Sequence, residues 1–240
     1  MFHFFKKASN RNSFDFLGVD MHSHLLPAVD DGCQSVEESM YFINELQELG
    51  FRKIITTPHI YPGFYPNNQE TLQKASDLLS ESTHKLEYFS YAAEYFLTDT
   101  MLDNGPLLTF NKNYVLVETS FVGLSMNFEQ MLFELIANNY IPILAHPERY
   151  LYLKDNLKVF DKIKGMGCQL QVNINSLGGY YGKASEEMAW EMVNKKIVDF
   201  LGTDLHHEKH LESLKSITQK GYFKKINAYT WKNPTLFYDY

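Results

Sequence analysis

Seven short apolar segments recur along the chain, and amphipathic segments separate most of them. Near-continuous apolar runs of this length, rich in β-branched and aromatic residues, are typical of strands that are buried on both faces. We therefore predict strands over residues 18–22, 53–58, 86–93, 114–118, 141–146, 169–173 and 198–203.

The intervening segments carry apolar residues at helical spacing. The first helix is predicted to begin at Ser35, with Glu38 as its capping-box partner, and to end at Gly50. Its apolar residues recur every three residues, as expected of one buried helix face. Further amphipathic helices are predicted over residues 69–84, 127–138, 155–166, 185–195 and 208–219.

This alternation of strands and helices predicts an α/β fold with a parallel sheet covered on both faces. Seven such units without a GxGxxG turn favour a TIM-like barrel over an open dinucleotide-binding sheet. We find no linker or low-complexity segment, so residues 18–240 are expected to form one domain. Residues 1–17 are interpreted as a flexible leader; the alternative is a weak contact of its aromatic-basic tip with a membrane surface or a partner.

Composition narrows the class of protein. The chain has 240 residues, of which 45% are hydrophobic and 21% charged, as in ordinary soluble globular proteins. Its net charge of -7 argues against nucleic-acid binding. Two cysteines, Cys33 and Cys168, provide neither a disulfide framework nor a thiolate zinc site. With no secretory signal and no run of about 20 apolar residues for stable membrane insertion, a cytoplasmic protein is expected.

Side chains that can bind metal ions follow the predicted strands. His22 and His24 form a D-x-H-x-H run, and alternation along a strand places both on one face, about 7 Å apart. The carboxyl ends of parallel barrel strands converge on one face, where barrel enzymes hold their active sites. The candidates at these ends are His22, His24, His59, Glu94, Glu118, His146, Asp204 and His206, with Asp31 in the loop after the first strand.

Each candidate has an ordinary structural explanation when taken alone. A single histidine can be held by hydrogen bonds, Glu118 can form a salt bridge, and Asp204 can cap a helix. Taken together, five histidines and four carboxylates at the same end of six strands would be costly to bury without cations. The set therefore predicts a metal site, and its nitrogen and oxygen ligands suit manganese, iron or zinc.

The motifs that carry these residues resemble those of a known family. The segments DMHSHLLPAVDDG, TTPHIYP, LAHPERY and FLGTDLHHEKH are similar to the PHP (polymerase and histidinol phosphatase) superfamily. Within it, the chain is most similar to the metal-dependent bacterial protein-tyrosine phosphatases of capsule and exopolysaccharide operons. The resemblance covers residues 19–210 and implies a distorted (β/α)7 barrel, the PHP fold.

The resemblance also implies three divalent metal ions, with manganese favoured and iron or zinc as alternatives. The first ion would be held by His22, His24, Glu94 and Asp204. Glu94 would bridge to a second ion, which Glu118 and His146 complete. Asp31, His59 and His206 would hold the third ion.

The implied reaction is hydrolysis of a phosphomonoester by metal-activated hydroxide, without a phospho-enzyme. Arg149 is predicted to bind the phosphoryl group in a fork, or else to pair with Glu148 or another carboxylate. Asp204 and His206 are candidate catalytic groups beside Arg149. Some relatives place a second arginine after the GTDxH motif; this chain has none there, and His207 or Lys209 could supply that contact.

Two features near the site admit two explanations each. The aromatic residues of 60–66 could wall a pocket for an aryl ring or cover the core. Asn173 and Asn175, at the end of the sixth strand, could hydrogen-bond ligands or substrate, or hold the backbone.

Three functions agree with the residues. The favoured one is a protein-tyrosine phosphatase whose partner substrate is a bacterial tyrosine kinase of polysaccharide synthesis or export. The second is a small-molecule phosphatase, for example one acting on histidinol phosphate. The third is a metal-stabilised scaffold, which the complete ligand set disfavours. The sequence leaves the oligomeric state open.

Overall fold

A computed structural model of the chain describes residues 12–82, 88–103, 105–111 and 113–237. The strands are β1 Val19–Asp20, β2 Lys53–Thr56, β3 His59–Ile60, β4 Phe89–Tyr91, β5 Glu94–Phe96, β6 Tyr114–Glu118, β7 Ile141–Ala145, β8 Gln169–Asn173 and β9 Phe200–Gly202. The helices are α1 Val36–Glu48, α2 Gln69–Ser82, α3 Phe128–Ala137, α4 Lys158–Met166, α5 Ile174–Leu177, α6 Lys183–Asn194, α7 Glu208–Ile217 and α8 Phe223–Ala228. Short 3-10 helices cover Pro147–Arg149, Leu151–Leu153 and Asn233–Leu236.

All paired strands are parallel, in the orders β1-β2-β4 and β3-β5-β6-β7-β8-β9. Two strand positions each consist of two short strands, β2 with β3 and β4 with β5, and both β3 and β5 lie beyond the predicted strand ends at residues 58 and 93. Backbone hydrogen bonds continue the pairing across the breaks, from Ala92 to Thr56 at 2.9 Å and from Glu94 to Pro58 at 3.0 Å. The nine short strands therefore occupy seven strand positions.

Backbone bonds beyond the strand ends join the first position to the last. The Asp204 amide donates to the His22 carbonyl at 2.7 Å, and the His24 amide donates to the Leu205 carbonyl at 3.0 Å. The predicted α/β fold with seven parallel strand positions is confirmed. The ring closes at the segments that carry the predicted ligands, so its closure and the geometry of the site depend on the same backbone.

Two groups of buried apolar residues fill the molecule. One lies inside the ring and includes Val19, Ile55, Leu116, Ile143 and Phe200. The other, much larger, packs between the strands and the helices. Alternation along β6 divides its residues between the two groups, which explains why the strands read as continuous apolar runs.

The segment before residue 18, assigned to the leader in the sequence analysis, is partly described. Residues 1–11 lie outside the described part of the chain. Phe14 and Leu17 are fully buried. The Phe14 ring stacks on Phe51 at 5.3 Å and meets Phe223 edge-on at 5.3 Å. Residues 12–17 thus pack against the same core as the helices.

Several predicted boundaries differ from the structure. The third strand runs beyond residue 93, through β5 to Phe96, and α4 begins at Lys158 instead of residue 155. The N-cap oxygen of Ser35 accepts from the Glu38 amide as predicted, but the Glu38 carboxylate accepts from Gln34 instead of Ser35. Residues 83–84 and 86–87 of two predicted elements lie outside the described residues.

Within the described ranges, no helix combines the length and the apolar character needed to cross a membrane.

Replacing Gly202 with alanine is expected to destabilise the fold by about 1–3 kcal/mol. A Cβ at this position would lie 2.7 Å from the Cβ of His22 and 2.8 Å from Nε2 of Gln171. Urea unfolding followed by circular dichroism would measure the change. The matched control is Gly165→Ala in α4, where a Cβ meets nothing within 4 Å. That variant should gain up to about 1 kcal/mol from helix propensity; equal stabilities for the two variants would contradict the close approach.

Candidate metal centre

The nine predicted metal ligands lie together at the end of the barrel where the strands terminate. Four sets of them place one ligand atom each within 4.8 Å of one another. The sets are His24 with Asp31, His59 and His206; His22 with His24 and Glu94; His22 with His146 and Asp204; and His59 with Glu94 and Glu118. Among the described residues, these sets contain all nine predicted ligands and no other residue.

Glu94, fully buried at the start of β5, lies at the middle of the group. Its Oε2 is 3.2 Å from Nε2 of His22, 3.4 Å from Nε2 of His24 and 3.2 Å from Nδ1 of His59. Its Oε1 is 3.0 Å from Nε2 of His146. The two oxygens therefore face different histidines, the arrangement needed for a carboxylate that bridges two cations.

Three of the predicted ligands each have a buried side-chain atom with no hydrogen-bond partner within the described chain. These atoms are Oε2 of Glu94, Nδ1 of His59 and Nδ1 of His146. An unpaired buried polar atom is costly, and an oxygen surrounded by imidazole nitrogens is satisfied by a shared cation. The donor set of nitrogen and oxygen atoms fits a divalent metal ion.

The two carboxylate oxygens of Asp204 have different partners. Oδ1 lies 3.4 Å from Nε2 of His22 and faces the cation group. Oδ2 accepts from Asn173 at 2.6 Å, from Arg149 at 3.2 Å and from the Tyr181 hydroxyl at 3.3 Å. Oδ2 thus already has three donors, so Oδ1 is the oxygen that remains for a metal ion.

Asp31, His59 and His206 meet at the outer edge of the group. Oδ1 of Asp31 is 3.6 Å from Nε2 of His59 and 3.6 Å from Nε2 of His206. The Asp31 side chain is 55% exposed, whereas Glu94 is fully buried. This set is therefore the part of the centre that is open to solvent.

Hydrogen bonds to the ring nitrogens orient two inner histidines, through partners that are not among the predicted site residues. Nδ1 of His22 pairs with Oε1 of Gln171 at 2.8 Å, and Nδ1 of His24 pairs with Oδ2 of Asp30 at 2.8 Å. Both partners accept, so Nδ1 carries the proton and Nε2 keeps its lone pair for a cation. Gln171 also donates to Asn173 at 2.9 Å, which links the support of His22 to Asp204.

Two of the predicted ligands have their backbone in the left-handed conformation. His146 has φ of 35° and Asp204 has φ of 50°. Leu144 lies in the outer apolar group and Ala145 inside the ring, so a continued strand would turn residue 146 outward. The left-handed conformation of His146 instead brings its side chain to the mouth. Such backbone is uncommon outside glycine and is often found at functional sites.

The charges of the group shift its pKa values strongly. Burial opposes the imidazolium form of His22, but Glu94 and Asp204 outweigh burial and raise its pKa to about 9. Burial likewise opposes the charge on His24, and Asp30 raises its pKa well above the usual value. Without cations, the His22 imidazole is therefore protonated at neutral pH, and the surroundings of His24 favour its protonated form as well.

Arg149 lies between two aromatic rings. The centre of its guanidinium is 4.7 Å from the Phe121 ring and 4.4 Å from the Tyr181 ring. Its ion pair is with Asp204, at 3.2 Å, while Glu148 accepts instead from the Asn173 amide and from Ser176. Arg149 was predicted to bind phosphate or to pair with Glu148 or another carboxylate, and in the structure its carboxylate partner is Asp204.

Two predicted anion contacts near α7 differ in position. His207 lines the cavity. Lys209 is exposed and is not among the residues that line it, so the structure does not bring Lys209 into the site. His210 lines the cavity instead, with its ring 4.1 Å from that of His207. His207 and His210 are three positions apart and so share a helix face, whereas Lys209, two positions after His207, lies on the other side of the helix.

The cavity above the ligands has a volume of about 310 Å³. Tyr61 and Tyr65 from the 60–66 loop line it, together with Phe121 and Tyr181. Tyr65 stacks on His59 at 5.2 Å. The loop therefore forms a wall of the cavity.

Asn175 donates to the His210 carbonyl at 3.2 Å. Of the two roles predicted for Asn175, the structure therefore shows the one in which it holds the backbone.

The chain is similar in sequence to known proteins. The sequence model of the family described as "Capsular polysaccharide synthesis, CpsB/CapC" matches residues 18–235. The tyrosine-protein phosphatase YwqE of Bacillus subtilis is 29% identical over 198 residues, covering 80% of this chain and 78% of its own. The tyrosine-protein phosphatase CpsB of Streptococcus pneumoniae is 27% identical over 217 residues, covering 85% of this chain and 88% of its own.

A solved structure is also similar to this chain. It comes from work on YwqE of Bacillus subtilis and CpsB of Streptococcus pneumoniae, described there as unique metal-dependent tyrosine phosphatases. The TM-score is 0.78 at 26% identity, and the match covers 91% of this chain and 90% of the other.

The cation-free protein is expected to lose stability as the pH rises from about 6.5 to 9. The pKa of His22 is raised from 6.5 to about 9, so its charge stabilises the fold fully below pH 6.5 and no longer does so above about 9. The loss is on the order of 3 kcal/mol, from about 1.4 kcal/mol per pKa unit. Thermal unfolding after chelation, scanned across this range, would measure it.

The control is the same pH series with saturating manganese. Cations replace the protons between His22 and the carboxylates, so the metal-loaded protein should show a much flatter profile. A cation-free protein that gains stability between pH 6.5 and 9 would contradict the assigned charges.

Proposed function

The chain belongs to the CpsB/CapC family of capsular polysaccharide synthesis, and on that premise we propose that it is a metal-dependent phosphatase that hydrolyses phosphotyrosine on proteins. The observation that carries the proposal is the convergence of nine nitrogen and oxygen donors beneath a cavity whose walls hold one arginine and four aromatic rings. We further propose that residues 18–240 act as a single PHP domain.

The proposed centre holds three divalent ions, with manganese favoured and iron or zinc as alternatives. Oδ1 of Asp204 and Oε2 of Glu94 lie within 3.5 Å of both His22 and His24, which supports a first site. Bound divalent ions would lower the pKa of a coordinated water and so supply hydroxide at neutral pH.

Two distances support each of the two further metal sites. Glu94 lies 3.0 Å from His146, and Glu118 lies 4.0 Å from the same nitrogen, which supports a second site bridged by Glu94. Asp31 lies 3.6 Å from both His59 and His206, which supports a third site at the open edge.

Arg149 is the proposed phosphoryl-binding residue. One of its terminal nitrogens pairs with Asp204, so the guanidinium is held while its other N–H groups can donate to phosphoryl oxygens. The guanidinium lies between the rings of Phe121 and Tyr181, and its stacking against them restricts rotation of the guanidinium plane. His207, also on the cavity wall, is the proposed second anion contact.

Asp204 and His206 are the proposed catalytic groups at the reacting phosphorus. Burial opposes the ionised form of Asp204, but the neighbouring histidines, His22 first among them, together outweigh burial and hold the Asp204 pKa well below its usual value, so Asp204 remains ionised. Nδ1 of His206 donates to the Asp204 carbonyl at 2.9 Å, which leaves Nε2 directed to the open edge. A phenol leaves with a pKa near 10, so phosphotyrosine needs less protonation of its leaving oxygen than an alkyl ester does.

Nucleophilic catalysis by cysteine is excluded from the proposal on physical grounds. Cys33 and Cys168 are buried, and burial raises both thiol pKa values to about 12. A thiolate is the reactive form of cysteine, and neither residue provides one near neutral pH. Hydrolysis without a phospho-enzyme is therefore proposed.

The proposed cellular substrate is a tyrosine kinase of polysaccharide synthesis or export, acted on in the cytoplasm. Support for the pathway comes from the family description, and support for the substrate class comes from the relatives named as tyrosine-protein phosphatases. The two free thiols agree with a reducing compartment.

Steady-state turnover of phosphotyrosine peptides, compared with histidinol phosphate, tests the proposal directly. With saturating manganese, kcat/KM should be higher for the peptides. Glu94→Gln should lower kcat by at least about 100-fold, because the amide cannot bridge two cations. The matched control is Glu129→Gln on α3, whose carboxylate is 45% exposed and should leave kcat unchanged.

Faster hydrolysis of histidinol phosphate would reassign the substrate class. Full activity of Glu94→Gln, or activity that survives removal of metal by chelation, would refute the metal-dependent mechanism.

Arg149→Lys should lower kcat/KM for phosphotyrosine peptides by about 10- to 100-fold, since lysine keeps the charge but loses the bidentate fork. Inhibition by inorganic phosphate should weaken in parallel. Arg52→Lys is the matched control, because Arg52 is exposed and does not line the cavity. A lysine variant with unchanged phosphate affinity would contradict the assigned role of Arg149.

A further inference from the structure

The loop between β6 and α3, residues 119–127, exposes large apolar side chains beside the cavity mouth. Val122 is 91% exposed and Met126 is 103% exposed, the two largest exposures among the big apolar residues of the described chain. Phe121, in the same loop, is 46% exposed. None of the nine loop residues is charged. Apolar groups displayed together in this way usually mark a binding surface.

The loop is held at both ends and in its first half. The Thr119 amide donates to the Tyr150 hydroxyl at 3.1 Å, and the Tyr152 hydroxyl donates to the Ser120 carbonyl at 2.9 Å. At the other end, the Asn127 side chain donates to Asp99 at 3.3 Å. The apolar side chains are therefore presented on a braced loop.

Phe121 joins this surface to the catalytic cavity. It lines the cavity, stacks on His146 at 5.6 Å, and covers one face of the Arg149 guanidinium at 4.7 Å. A molecule that contacts the exposed edge of Phe121 is therefore next to the proposed phosphoryl-binding residue. Val122 follows Phe121 directly in the chain and is 91% exposed, so the loop passes from the cavity lining to the protein surface.

We propose that this loop binds uncharged, apolar residues that flank the phosphotyrosine in the protein substrate, with Val122 and Met126 as its main contacts. The inference rests on the proposed phosphatase function and specifies its substrate. A phosphotyrosine that reaches Arg149 passes Phe121, so neighbouring residues of the same segment lie against the rest of the loop. Since the loop carries no charge, it selects flanking side chains that need no ionic partner.

Charge disfavours a membrane as the occupant. Surfaces that bind anionic lipid carry lysine or arginine next to their apolar residues. Residues 119–127 have neither, and the nearest charged residues along the chain are acidic, namely Glu118 and Glu129. Arg149, which contacts Phe121, is stacked between two rings and paired with Asp204, so it is not displayed beside Val122 and Met126. A second copy of the chain is the remaining alternative, and it is an outcome of the test below.

The test compares two phosphotyrosine peptides that differ only in the residues beside the phosphotyrosine. These residues are leucine and isoleucine in the apolar peptide, and serine and asparagine in the polar peptide. Manganese-loaded full-length protein should hydrolyse the apolar peptide with about tenfold higher kcat/KM, mainly through KM. In the double variant Val122→Ser with Met126→Ser, this ratio should fall close to one. Phe133→Ser on α3, where the side chain is 57% exposed, is the matched control and should keep the tenfold ratio.

The inference is overturned if wild-type protein shows no preference between the peptides, or if the double variant keeps the full preference. Sedimentation equilibrium adds a separate arm. If the wild type is a dimer, the double variant a monomer, and the peptide preference unchanged, a second copy of the chain occupies the loop. If wild-type protein hydrolyses neither peptide, the proposed function itself fails, which distinguishes that result from failure of the docking surface alone.

Discussion

The demand of buried ligand atoms for cations governs this structure. Glu94 is fully buried among the nitrogens of four histidines, and one of its oxygens has no hydrogen-bond donor in the described chain. Neutral imidazoles and carboxylates in such proximity repel through their lone pairs, and the raised pKa of His22 shows that the carboxylates here favour a positive charge between them. Divalent ions would supply that charge in place of protons. The same backbone segments that carry His22 and Asp204 close the barrel, so fold and metal centre depend on each other.

Around this centre, hydrogen bonds hold several of the predicted ligands in one orientation. Asp204 shows the principle, because one oxygen faces the histidines while the other accepts three hydrogen bonds. Strand β8 contributes no predicted ligand, yet Gln171 and Asn173 connect His22 to Asp204. Through Asp204 the network also reaches Arg149. A change at any of these supports would therefore affect both the cations and the proposed phosphoryl contact.

Much of the fold could be predicted because apolar periodicity is a local property. The bounds of β6 and β8 agree with the predicted strands at 114–118 and 169–173. The continuation of the second strand position into β3, beyond Pro58, was not predicted, because the pairing of His59 and Ile60 depends on the neighbouring strand β5. The short helices α5 and α8 were missed because four and six residues give too little periodicity to recognise.

For the site, the sequence by itself determined which side chains could meet, because parallel strands must bring their carboxyl ends to one face. All nine predicted ligands are there. Only the tertiary structure decided how they are oriented and supported: that His146 turns inward through left-handed backbone, that Tyr181 joins Arg149 and Asp204, and that His210 replaces Lys209 at the cavity. Those features depend on contacts between distant segments and on the direction of a helix, which local patterns of residues do not encode.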